Sequence, residues 1–243
     1  MTNLLVAQHL NKTLATTPPR TLLHDINLTA NAGEFLSIVG PSGSGKTTLL
    51  RCLSGLDSLT SGNVWLGQEA LTTMKPAKLA KLRRTTVSFL FQQYNLLPAL
   101  TVYDNLVLPL RLAKRPVDQN QLNQLLAQVH LTAKLNQYPN TLSGGEQQKV
   151  AIARALLVNT RLIFADEPTG ALDAQSRQMV FNNLKALTTA GTCVVMVTHD
   201  LELAAQTDCA IVLKDGRITT IFDHPTMAQL VPALADHWEV ASC

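Results

Sequence analysis

No apolar run in this 243-residue sequence approaches the ~18 residues needed to cross a bilayer, so any membrane role has to come through a partner. The N-terminus lacks a basic start followed by an apolar stretch and a small-residue cleavage site, so no signal peptide is expected. Cysteine is sparse: Cys52, Cys193, Cys209 and Cys243 form no CxxC pair and have no histidine at ligand spacing. Neither a zinc site nor a disulfide framework is therefore indicated, and a reducing cytoplasm fits best. Charge of one sign is also missing, with 20 Lys and Arg against 17 Asp and Glu. The basic residues are scattered except for Lys78, Lys81, Arg83 and Arg84, which read as a solvated helix face after Pro76. A nucleic-acid partner, which needs a concentrated basic surface, is not expected. Repeats, low-complexity tracts and long linkers are absent too.

What is present suits one large globular domain. Hydrophobic residues make up 46% and charged residues 15%, enough for a substantial core. Four β-branched and apolar segments read as buried strands: Phe35 to Val39, Val87 to Phe91, Leu162 to Ala165 and Cys193 to Val197. Each ends on polar or glycine residues, and ligands of open parallel sheets collect at the carboxyl ends of strands. Near the end, Asp215-Gly216 between two apolar segments marks a hairpin with a type I′ turn. Between about Asn95 and Leu142 the period turns helical. Thr101 and Asp104 have capping-box character, and Leu122, Leu125, Leu126 and Val129 form one apolar stripe. This segment reads as a helical insertion in an α/β core. A short helix is expected around Met227 to Trp238.

Gly40-Pro41-Ser42-Gly43-Ser44-Gly45-Lys46-Thr47 satisfies GxxxxGK[ST] between the first of those strands and an apolar helical run, Thr48 to Leu53. Glycines let the backbone curl so that several N–H groups face one anion, and the helix N-terminus adds its positive end. Lys46 would reach the β- and γ-phosphates, and the Thr47 hydroxyl would ligate Mg²⁺. Alone, the loop specifies nucleotide binding and nothing narrower.

Downstream, the strand Leu162 to Ala165 ends in Asp166 and Glu167. A strand-terminal Asp suits Mg²⁺, and the adjacent Glu suits orienting and polarising an attacking water. Between the loop and that strand, Leu142-Ser143-Gly144-Gly145-Glu146 precedes an apolar helix, with Ser143 and Glu146 at capping-box spacing. Two glycines there cost up to ~1 kcal/mol each relative to alanine in a helix interior. In return they leave a helix N-terminus open to an anion.

Together these elements, in this order, resemble the ATP-binding cassette (ABC) ATPases over essentially the whole chain. The resemblance implies an α/β fold, a P-loop NTPase core with a mostly parallel sheet, an N-terminal antiparallel β subdomain and an inserted α-helical subdomain at about 95–142. The whole chain, 1–243, would be one nucleotide-binding domain, with ATP and Mg²⁺ as cofactors. Ser143, Gly144, Gly145 and Glu146 then look like the signature that contacts the γ-phosphate bound by a second subunit, so each site is built from two chains. Gln92 resembles the glutamine that senses Mg²⁺ and the attacking water, with Gln93 beside it. Asp173, in Ala171-Leu172-Asp173, looks like the loop along the dimer seam, and His199 like the switch histidine that holds the γ-phosphate. Leu14 stands near the place where the family usually has an adenine-stacking aromatic, and Thr48 closes the phosphate loop. Glu146 replaces the commoner Gln, and Lys149 stands where Arg is usual.

The stretches Ile163 to Asp173 and Phe91 to Pro98, with Thr101-Val102, are similar to one branch: the ATPases of lipoprotein-release, macrolide-export and antimicrobial-peptide-resistance systems. That implies a homodimer of nucleotide-binding domains driving an integral-membrane permease, held in the cytoplasm on the inner face of the membrane. Tyr94 to Leu100 lies where a permease helix would dock. Two other roles share the same residues: the ATPase of a peptide-sensing complex with a sensor kinase, and a soluble ABC ATPase outside transport.

Overall fold

The computed structural model describes residues 3–91, 94–129, 131, 134–170 and 172–235. Two long strands, β1 (Asn3–Leu14) and β2 (Arg20–Asn31), pair antiparallel. Glu34 then reaches back to accept from the Asn31 N–H at 2.7 Å, turning the chain into β3 (Phe35–Val39), which is buried throughout. After helix α1 (Lys46–Leu53) the strands β4 (Ser61–Leu66) and β5 (Glu69–Ala70) rejoin β1, giving a four-stranded antiparallel sheet in the order β2-β1-β4-β5. Helix α2 (Pro76–Thr85) opens on proline and buries no residue; Lys78, Lys81 and Arg84 are exposed as expected, Lys78 pairing with Glu69, but Arg83 turns inward to donate to the Gly55 carbonyl at 2.6 Å.

β6 (Val87–Leu90) ends one residue before the expected Phe91. Two helices, α3 (Val102–Leu112) and α4 (Gln119–Gln128), come next. The Thr101 hydroxyl accepts from the Asp104 N–H at 3.1 Å, capping α3, and Leu122, Leu125, Leu126 and Val129 all point into the core. Beyond them come α5 (Gly144–Val158), β7 (Leu162–Asp166), α6 (Ala174–Thr189), β8 (Cys193–Val197) and the short α7 (Leu201–Ala204). The hairpin β9 (Cys209–Lys214) and β10 (Arg217–Asp223) turns through Asp215 and Gly216, both at positive φ, 45° and 72°. That is the backbone a type I′ turn requires. The last described helix is α8 (Met227–Ala235); the remainder of the expected Met227 to Trp238 helix lies outside the described residues.

β6, β7, β8, β3 and β9 run parallel, with β10 antiparallel at the edge, in the order β10-β9-β3-β8-β7-β6. Their side chains alternate between two cores, as strand geometry dictates. Phe35, Ile163, Ala165, Val194 and Met196 face α3 to α6, where Phe35 stacks on Phe181 at 5.0 Å. Leu36, Ile38, Leu162, Phe164, Val195 and Val197 face α1 and the antiparallel sheet. Burying each large side chain contributes about 1.5–3 kcal/mol, so both faces of the parallel sheet are anchored. The register aligns Ile38 with Val197 and Val197 with Asp166, which brings the carboxyl ends of β3, β8 and β7 to one level. The α/β architecture, with its antiparallel N-terminal sheet, parallel sheet and helical insert, is the fold class expected from the sequence.

Candidate nucleotide site

The loop Gly40 to Gly45 leaves β3 at that level. A Cβ on Gly40 would come 2.1 Å from the Leu213 carbonyl oxygen, so only glycine lets the loop run this close to β9. Gly45, at φ 100°, turns the chain into α1. The loop is braced from outside: the Gly216 N–H donates to the Ser44 carbonyl at 3.0 Å, and the His24 N–H donates to the Gly216 carbonyl at 2.8 Å. Pro41, Ser42 and Gly43 are exposed at its crest, and Thr48 lies in the first turn of α1.

Three features of the loop fit a bound polyphosphate. The Ser44 hydroxyl is 3% exposed and has no hydrogen-bond partner among the described residues, a cost that an anion's oxygen would remove. The Lys46 ammonium is folded onto the loop's own carbonyls, Gly40 at 2.9 Å and Pro41 at 2.8 Å. Burial pulls its pKa below the ordinary 10.5, opposed by Glu167 and Asp166 nearby. The Thr47 hydroxyl donates to Asp166 Oδ1 at 3.0 Å. Burial pushes Asp166 above its ordinary 3.8 against the pull of Thr47, Lys46 and Arg51. A desolvated cation and a desolvated carboxylate, neither ion-paired among the described residues, are the pattern expected of a site built for a charged ligand. Thr47 and Asp166 are hard oxygen donors side by side, which suits Mg²⁺.

Glu167 comes directly after β7 at φ 49°, a left-handed conformation rare for a non-glycine residue. Its N–H donates to the Val197 carbonyl at 3.0 Å, which holds that conformation across the sheet end. Its Oε2 meets His199 Nδ1 at 2.8 Å, and the imidazole is largely exposed while the carboxylate is largely covered. The residue after His199, Asp200, is itself fixed in place. That carboxylate caps α7, accepting from the Leu203 N–H at 3.1 Å, and pairs with Arg177 of α6 at 2.9 Å. Asp173 caps α6, accepting from the Ser176 N–H at 2.9 Å.

Ser143 to Glu146 form a second cluster at the N-terminus of α5. The Ser143 hydroxyl accepts from the Glu146 N–H at 3.3 Å and Glu146 Oε2 accepts from the Ser143 N–H at 2.9 Å, the capping box its spacing predicts. Among the described residues these four make no hydrogen bond with the phosphate loop, Asp166, Glu167 or His199. The structure therefore brings the loop, both carboxylates and the histidine together and leaves the α5 terminus to other partners. Leu14 ends β1 opposite Arg20 and is 38% exposed, an apolar surface without a ring. Gln92 lies outside the described residues.

Sequence reasoning missed several positioning residues. Arg154 of α5 donates to the carbonyls of Tyr94 at 2.9 Å and Asn95 at 2.8 Å, pinning the chain just beyond β6. Arg177 ties α6 to the turn after His199, and Lys134 pairs with Glu146. Their partners are 12 to 60 positions away, and no local pattern in the sequence announces such pairs.

Residues 23–170 match the family model described as ABC transporter. The chain is 45% identical to a macrolide export ATP-binding/permease protein, MacB, of Psychrobacter arcticus over 81% of its own length but only 30% of that protein's. It is 44% identical to an uncharacterized ABC transporter ATP-binding protein of Methanocaldococcus jannaschii over 83% of its own length and 91% of that protein's. Among solved structures, the ATP-binding cassette MJ0796, in a dimeric post-hydrolysis state bound to ADP and Pi, superposes with a TM-score of 0.86. The two are 37% identical, and the match covers 92% of this chain and all of that one.

Proposed function

The chain belongs to the ABC transporter family, and from that premise we propose how its residues bind and hydrolyse ATP and what the hydrolysis drives. It is an ATP-hydrolysing cassette. The observation that carries the residue assignments is the closure of two contacts at one sheet end: Thr47 on Asp166, and Glu167 on His199.

ATP enters with its phosphates on the N–H groups of the loop and the N-terminus of α1. Lys46 exchanges its two carbonyl partners for phosphate oxygens, and Ser44 gains the acceptor it lacks. Thr47 and Asp166 would hold Mg²⁺, which would neutralise phosphate charge when bound. Glu167 accepts a proton from the attacking water as it adds in line to the γ-phosphorus. His199 keeps the Glu167 carboxylate oriented and faces the γ-phosphate. The bond from the γ-phosphorus to the bridging oxygen breaks, ADP keeps that oxygen, and Glu167 releases the water's proton to solvent as phosphate departs. Leu14 offers the base apolar contact without aromatic stacking.

The α5 terminus makes no hydrogen bond with its own chain's phosphate loop among the described residues, which supports a trans role. Ser143 to Glu146 of one copy meet the γ-phosphate held by the other, with Asp173 at the seam. Two copies close on two Mg-ATP and separate after hydrolysis. The dimeric state of the solved relative supports this geometry. No helix among the described residues is long and apolar enough to cross a membrane. A relative whose name joins ATP-binding and permease functions in one longer chain supports a permease partner, and hence a place at the inner membrane face. Macrolide, lipoprotein or peptide export is the transport class proposed.

Two variants test this. Glu167→Gln is expected to retain ATP and lose turnover by about 10²–10⁴-fold, the range of a general base. Lys46→Ala is expected to lose ATP binding itself. Undiminished phosphate release by the Gln variant would remove Glu167 from the mechanism.

A further inference from the structure

The N-terminus of α5 carries a charge at odds with a phosphate-binding role. A helix N-terminus attracts anions through its unpaired N–H groups, yet Glu146 places a carboxylate one turn in. Uncompensated, that charge would repel an approaching triphosphate through a partly desolvated gap, where Coulomb forces are only weakly screened.

The carboxylate is compensated. Its two oxygens divide their partners: Oε2 takes the Ser143 N–H at 2.9 Å, and Oε1 takes the ammonium of Lys134. Both side chains of the ion pair are partly buried. Lys134 is not a passing surface lysine, because the backbone around it is pinned. The Tyr103 N–H donates to the Leu135 carbonyl at 3.0 Å and the Val102 N–H to the Gln137 carbonyl at 2.8 Å, while Lys134 closes its own turn onto Leu131 at 3.0 Å. The ammonium is thus delivered by the start of α3. Together Lys134 and the Ser143 N–H hold the Glu146 carboxyl down to about 2, so it carries full charge at neutral pH.

We propose that Lys134 is a positioning residue of the composite site: its ammonium cancels and orients Glu146, so that the α5 terminus accepts the partner copy's γ-phosphate. This rests on the reading that Ser143 to Glu146 act in trans. In this role Lys134 acts only through Glu146. One carboxylate oxygen is kept on the capping box and the other is turned away from the helix end.

The test uses the full chain with four proteins: the native sequence, Lys134→Met, Lys134→Arg and the double variant Lys134→Met/Glu146→Gln. The readouts are the ATP concentration for half-maximal turnover and the ATP concentration that half-assembles the dimer. Lys134→Met is expected to raise both by roughly tenfold, the effect of one uncompensated charge in a moderately screened site. The defect should shrink as salt is raised. Lys134→Arg and the double variant are each expected to recover most of the loss, the first by restoring the cation and the second by removing the anion. ATP binding to the isolated copy, read by a fluorescent analogue, should not move.

A double variant as impaired as Lys134→Met would overturn the proposal, because the lysine would then be acting through packing. So would a Lys134→Met protein matching the native one. If the native chain binds ATP and never dimerises, the trans reading itself fails and this inference goes with it. Normal dimerisation of Lys134→Met overturns the inference alone.

Discussion

Asp166 illustrates at the level of one residue how a site trades stability for function. Its carboxyl is raised by burial, so its charged form is penalised in the folded chain. A carboxyl raised above its unfolded value costs stability at neutral pH, and that cost is relieved as pH falls. We therefore expect Asp166→Asn to raise the melting temperature of the nucleotide-free protein by about 1–4 °C at pH 7, read by calorimetry. The same change should weaken Mg-dependent hydrolysis at least tenfold. Glu146 has the opposite sign. Its folded value of about 2 lies below the ordinary 4.5, so its contribution is present above 4.5 and lost as pH falls toward 2. Glu146→Gln keeps an acceptor for the Ser143 N–H and abolishes this titration. Its melting temperature should consequently fall less steeply than the native protein's between those two pH values. Parallel curves would mean that the Lys134 pair contributes nothing to folding.

Individual elements show what a sequence can and cannot disclose. β3 and β8 occupy the expected positions because strands buried on both faces are written as unbroken β-branched and apolar runs, Phe35 to Val39 and Cys193 to Val197. The Asp215-Gly216 turn was legible because few dipeptides suit two successive positive φ values. The phosphate loop and the α5 cap were legible for a similar reason, since their chemistry is local. The pins were not. Arg154 on the Tyr94 and Asn95 carbonyls, Arg177 on Asp200 and Lys134 on Glu146 each join elements whose meeting depends on the whole fold. The left-handed backbone of Glu167 was equally hidden, because it is imposed by the Val197 carbonyl one strand away. A prediction belongs to this scale as well. Gly40→Ala places a methyl 2.1 Å from the Leu213 carbonyl oxygen, and relief requires β3 and β9 to part. The variant should lose about 1–3 kcal/mol of stability in urea titration and bind ATP more weakly, as overpacked sites do.

As a whole, the molecule is on the proposed reading half of a machine. One copy carries a phosphate loop beside Asp166 and Glu167, the carboxylates proposed for the metal and for the attacking water. Separately it carries the capped N-terminus of α5, which makes no hydrogen bond with that loop among the described residues. The antiparallel sheet and the parallel sheet share one core around α1, the helix into which the phosphate loop leads. The other core gathers α3 to α6, which places α5 against the opposite face of the parallel sheet from α1. In the proposed cycle, closure of two copies joins what one copy keeps apart. The measurement that addresses this most directly is the solution mass of the Glu167→Gln chain by light scattering, with Mg-ATP and with Mg-ADP. The account requires a particle of twice the monomer mass with ATP and the monomer with ADP. A chain that remains monomeric while saturated with ATP would contradict it.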